Sequence, residues 1–145
     1  MHPDNVIDVT RLIQLAVAPV FLLTAVGTII GVLSNRLGRV VDRSRSLEER
    51  MRQLQPAGQK AARQELDILS RRVRLVYGSI VLAVLCALFV GLLIAVAFVD
   101  AFVDLDLSKF IGLLFIAAML AFILGLLVFL REIFLAVSSA RNQMR

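Results

Sequence analysis

One cysteine, one histidine and three prolines occur among the 145 residues, and each scarcity narrows what the chain can be. A single cysteine excludes an internal disulfide. Cys86 sits beside Leu85 and Ala87 in an apolar run, where it reads as a small hydrophobe. The one histidine is His2, near the start of the chain, so neither histidine acid–base catalysis nor a histidine-rich metal site has residues to use. No glycine-rich phosphate loop, no His/Cys/Asp ligand spacing and no paired carboxylates at membrane depth are present. These absences point away from an enzyme, a metal centre or a cofactor. Prolines stand only at positions 3, 19 and 56, so nothing breaks a helix between Pro19 and Pro56 or after Pro56.

Charge is missing over three long stretches, Leu12–Asn35, Leu75–Val99 and Phe110–Leu130. About 20 helical residues cross a hydrocarbon core, so each run is long enough to span a bilayer. Hydrophobic residues make up 59% of the chain, above the roughly 45–50% of soluble domains. A soluble fold of this length could not enclose three such segments. The expected fold is therefore all-α, an integral membrane protein with three transmembrane helices.

What charge there is lies unevenly. Ten of the sixteen Lys and Arg fall between Arg36 and Arg72, between the first two runs, and Arg131, Arg141 and Arg145 follow the third. Basic segments stay cytoplasmic during insertion, so the net charge of +5 reads as a topology signal and not as nucleic-acid binding. The opposite side carries Asp4, Asp8, Asp100, Asp104 and Asp106 with Arg11 and Lys109. The resulting layout has an external tail (1–11), a first span (12–35), a cytoplasmic segment (36–74), a second span (75–99), an external turn (100–109), a third span (110–130) and a cytoplasmic tail (131–145). No cleaved signal peptide is expected, since no basic residue precedes Arg11.

Pro3 and Asp4 suit a helix start, Pro19 predicts a kink near Leu15, and Asp106 or Ser108 offers a cap for the third helix. Beyond Asn35 the first helix has no stop signal and continues into the cytoplasm. There Leu37, Val40, Ser44, Leu47, Met51 and Leu54 are spaced 3-4-3-4-3, and on the return Ala62, Leu66, Leu69, Val73 and Val76 are spaced 4-3-4-3. Two such seams joined by a turn at 55–59 predict an antiparallel helical hairpin with arms of about 30 Å. Arg71, Arg72 and Arg74 fall at headgroup level, where basic residues meet anionic lipid. Residues 133–145 read as a short surface helix or an extension of the third span.

Small residues that permit close helix approach recur on each span. They are Gly27 and Gly31 on the first; Ser79, Ala83, Ala87, Gly91 and Ala95 on the second; and Ala117, Ala121 and Gly125 on the third. They predict a second and third helix packed against the first, in a chain that associates with copies of itself. Along the first helix Gln14, Val17, Phe21, Thr24, Thr28, Gly31 and Asn35 form one stripe, on which most polar or small groups of the span fall. In an oligomer this stripe could line an axial pore, with Val17 and Phe21 as an apolar constriction. It could equally be a helix contact in which Thr and Gln bond to helix carbonyls. Arg39, Asp42, Arg43 and Arg45 are likewise open to two readings, an inner vestibule or a headgroup-level arginine belt with Asp42 paired to Arg39 and Arg45. Two functions follow from these alternatives: a homo-oligomeric channel-like assembly, or a membrane-anchored scaffold or sensor whose hairpin binds a cytoplasmic partner protein.

The stretch LAVAPVFLLTAVGTIIGVLSNRLGRVVDRSRSLEE (15–49) resembles a family of small bacterial membrane proteins classed as a domain of unknown function. The likeness lies in Pro19, Phe21, Leu22, Leu23 and Thr24, then Asn35, Arg36, Leu37, Arg39, Asp42, Arg43 and Arg45. The resemblance implies a three-helix protein of the bacterial inner membrane and supplies no activity.

Overall fold

The computed structural model describes residues 3–103 and 106–142, and the side-chain surroundings of residues 10–11, 13–56, 58–103 and 106–138. His2, Asp104 and Arg145 lie outside the described residues, as do the side chains of Asp4, Asp8 and Arg141. The chain forms three helices, α1 (Pro3–Met51), α2 (Pro56–Val103) and α3 (Ser108–Asn142). All three are long and apolar enough to cross a membrane.

Their length follows from the scarcity of breakers. At about 1.5 Å per residue the 49 residues of α1 extend roughly 74 Å, more than twice a hydrocarbon core of about 30 Å. α1 stays helical through Pro19, and its polar continuation past Asn35 belongs to the same helix. α3 likewise runs unbroken to Asn142, so residues after 131 extend the third helix and are no separate surface helix.

The break between α1 and α2 covers residues 52–55, earlier than the 55–59 read from the Pro-Gly pair. Pro56 opens α2 because a proline at a first helical position loses no hydrogen bond and has its φ already set. The Gln59 side-chain amide donates to the Leu54 carbonyl at 3.2 Å, and Gly58 N–H donates to the Gln55 carbonyl at 2.9 Å. Between α2 and α3, the Leu107 N–H donates to Asp100 Oδ1 at 3.0 Å, and the Ser108 hydroxyl donates to Asp106 Oδ1 at 2.9 Å.

The chain divides into two compact units, residues 1–30 with 82–123 and residues 31–81 with 124–145. In the first, Val26, Ala83, Cys86, Val90, Ala118 and Ala121 form a buried cluster flanked by Leu22, Leu23, Ile30, Phe89, Ile94 and Phe122. In the second, Leu33, Val40, Ala62, Leu69, Val76 and Ser79 are buried. The Ser79 hydroxyl donates to the Leu75 carbonyl at 3.0 Å, which lets a polar side chain sit in an apolar contact.

The small-residue ridge of α2 turns out of the contact. Ser79 and Ala83 are buried and Ala87 half-buried, but Gly91 and Ala95 are exposed. A step of four residues overshoots one turn by about 40°, so a ridge spaced by four winds around the helix. The buried face of α2 instead follows Ala83, Cys86, Val90 and Leu93, spaced 3-4-3.

Candidate functional site

Charged residues on a buried helix face are the most unusual feature of the second unit. On α1, Arg36 lies three residues after buried Leu33 and four before buried Val40. On α2, Arg72 lies three after Leu69 and four before Val76. On α3, Glu132 falls seven residues after buried Gly125. All three charges therefore occupy positions that the heptad pattern reserves for the interior, and the chain pairs them with one another.

Glu132 has no exposed surface. Its Oε2 accepts from Arg36 Nη1 at 3.1 Å, and its Oε1 accepts from Arg72 Nε and Nη2, both at 3.1 Å. The Arg36 guanidinium also lies 5.4 Å from the centre of the Phe129 ring, a cation–π distance. A carboxylate that accepts three N–H bonds from two other helices is a tie between helices. The spacing 33-36-40 and 69-72-76 carried this signal in the sequence. Placing Arg72 only at headgroup level missed it, because a residue at that level can face solvent or the neighbouring helices.

The stripe on α1 points away from the other helices of its own chain. Gln14, Val17, Phe21, Thr24, Thr28, Gly31 and Asn35 are all exposed, Phe21 at 72%. A Cβ added at Gly27 or Gly31 would meet nothing within 4 Å, so neither glycine serves packing within one chain, contrary to the expectation from their spacing. Gly91 is equally open. Ala83 and Ala121 are buried in helix contacts, Gly125 is buried, and Ala87 and Ala117 are half-buried. At Gly78 of α2 an added Cβ would lie 3.9 Å from Val128 of α3, an ordinary van der Waals distance.

Two hydroxyls of the stripe are already satisfied. Thr24 Oγ1 donates to the Val20 carbonyl at 3.2 Å, and Thr28 Oγ1 to the Thr24 carbonyl at 3.0 Å. In the arginine-rich stretch, Arg43 pairs with Glu65 of α2 at 2.8 Å. Among the described residues no ion pair joins Asp42 to Arg39 or Arg45, and all three are exposed. Exposed pairs of this kind have little energy to hold them in water, so the expected Asp42 pairing does not form. The first unit also holds an apolar cavity of about 530 Å³ between Pro19, Phe98 and Phe115, with Asp100 among its lining residues.

Three helices of this length and apolarity, tied by a buried carboxylate where charged sequence begins, suggest a multi-pass helical membrane protein. The chain belongs to the family described as Protein of unknown function (DUF2721), which it matches over residues 16–142. No curated protein and no solved structure matches the chain.

Proposed function

We propose that this chain is a non-catalytic, homo-oligomeric, channel-like protein of the bacterial inner membrane, with α1 along the axis. The N-terminus is external, residues 36–74 form a cytoplasmic antiparallel hairpin, and the C-terminus is cytoplasmic. The basic segment 36–72 supports this orientation.

The observation that carries the reading is the uncovered polar stripe of α1. Only 11% of the most apolar stretch of α1 is buried in the chain, against 22% in α2 and in α3, so α1 is the helix with most surface left to cover. Gln14 and Asn35 expose amides near the two ends of this run, and a second copy of α1, or water on an axis between copies, can bond to them. Gly27 and Gly31 leave room for close approach of that copy. The self-bonded hydroxyls of Thr24 and Thr28 favour a dry contact between copies as the second reading. The scaffold alternative draws less support. Residues 36–74 already bury Val40, Ala62 and Leu69, which leaves Leu54 and Ile68 as their exposed large hydrophobics among the described residues.

Single cysteines at Val17, Thr24, Thr28 and Asn35, in a Cys86→Ala background, test the pore. A wet axis makes them react with membrane-impermeant thiol reagents in intact vesicles. Silence at all four positions removes the pore. A monomer mass in nanodiscs removes the oligomer in either form.

A further inference from the structure

We propose that Arg36 and Arg72, held in place by Glu132, form a binding site for the phosphate of an anionic phospholipid headgroup. This rests on the membrane-spanning part of the reading above and is independent of whether α1 lines a pore.

The charges do not balance. Two guanidinium groups share one carboxylate, which leaves the cluster one positive charge in excess. The donors do not balance either. Arg36 gives Glu132 only Nη1, and Arg72 gives Nε and Nη2, so each guanidinium keeps N–H groups that no described residue accepts. Access is one-sided. The arginine side chains are 27% and 19% exposed while Glu132 is fully enclosed, so an approaching group meets donors and never the carboxylate.

The position selects the ligand. Arg36 directly follows the charge-free run that ends at Asn35, Arg72 precedes the run that begins at Leu75, and Glu132 follows the run that ends at Leu130. That is the level of lipid phosphates in a helix that spans a bilayer. Arg39, Arg71, Arg74 and Arg131 are exposed and stand close by in sequence to the three cluster residues, adding basic charge. A fork of guanidinium N–H groups fits a phosphate oxyanion, and the excess positive charge of the cluster favours a lipid of net negative charge over a zwitterionic one whose headgroup brings its own cation. Glu132 then acts as the group that orients both forks, and Phe129 flanks one of them.

The test uses the full chain reconstituted in vesicles of phosphatidylcholine with and without phosphatidylglycerol. Flotation with the vesicles comes first, and failure to float defeats the membrane-spanning reading itself. A chain that inserts is then extracted in detergent, and retained lipids are counted by native mass spectrometry. The expected result is selective retention of phosphatidylglycerol; equal retention of both lipids overturns the site alone. Arg36→Gln should lower the selectivity about fivefold, the worth of one arginine at a headgroup surface. Glu132→Gln keeps one acceptor oxygen to position the arginines and removes the competing negative charge, so selectivity should hold or rise. A parallel fall in both variants marks the cluster as a tie only and overturns the proposal. Displacement of the lipid by millimolar inorganic phosphate would assign the site to a soluble anion and overturn the lipid source. Should Arg36→Gln fail to fold by circular dichroism, the wild-type comparison and Glu132→Gln still decide.

Discussion

Replacing Glu132 with alanine removes the acceptor for three N–H bonds and leaves two guanidinium groups facing each other. Hydrogen bonds to charged groups contribute roughly 1.5–3 kcal/mol each, but they are not additive here because one carboxylate serves both arginines. Breaking a buried ion pair from one side costs about 3–5 kcal/mol. Arg36 and Arg72 keep 27% and 19% of their side-chain surface exposed and regain some hydration, which places the loss near the lower end, about 3 kcal/mol. That is on the order of a 150-fold rise in the opened population. A cysteine at Val76, which is fully buried in the same unit, reports opening through its thiol-labelling rate in a Cys86→Ala background. Glu132→Ala should speed labelling about 150-fold. The control is Arg43→Ala, which breaks a pair whose side chains are 60% and 31% exposed and should cost under about 1 kcal/mol, less than about sixfold in rate. Equal labelling rates in the two variants would refute the claim that the buried carboxylate holds the three helices.

Three further outcomes follow from the same packing. Gly31→Leu should leave the helical content of the chain unchanged, since its side is open, and should convert the assembly seen by nanodisc mass measurement to monomer. Ala118→Leu adds bulk where no surface is exposed and should cost about 1–3 kcal/mol by overpacking, read as earlier loss of helical signal in a denaturing detergent titration. Asp100→Ala orphans the half-buried Leu107 N–H and should cost about 1 kcal/mol, visible as faster amide exchange at Leu107.

Much of the architecture was legible in residue order. Three charge-free runs, few prolines and good helix formers after Asn35 leave a long helix as the only way to satisfy backbone groups in lipid. The heptad residues Val40, Ala62, Leu69 and Val76 are buried where their spacing placed them. The glycine spacing was less informative, because Gly27-x-x-x-Gly31 says that helices can approach closely and not which helix approaches. The candidate site was harder still. Arg72 looked like one of three headgroup arginines, although Arg71 and Arg74 are exposed and Arg72 alone of the three reaches Glu132.

Helix length and the level at which charge resumes depend on local composition, and residue order alone determined both. Which side of each helix is covered depends on rotation about its axis, and that is set by packing with residues far away in the chain. A rotation of one residue, about 100°, would carry Glu132 from a fully enclosed position between two arginines toward the surface without altering a single helical boundary. Only the tertiary structure decided that the carboxylate faces inward, because only there do Arg36 and Arg72, 96 and 60 residues away, arrive to compensate it.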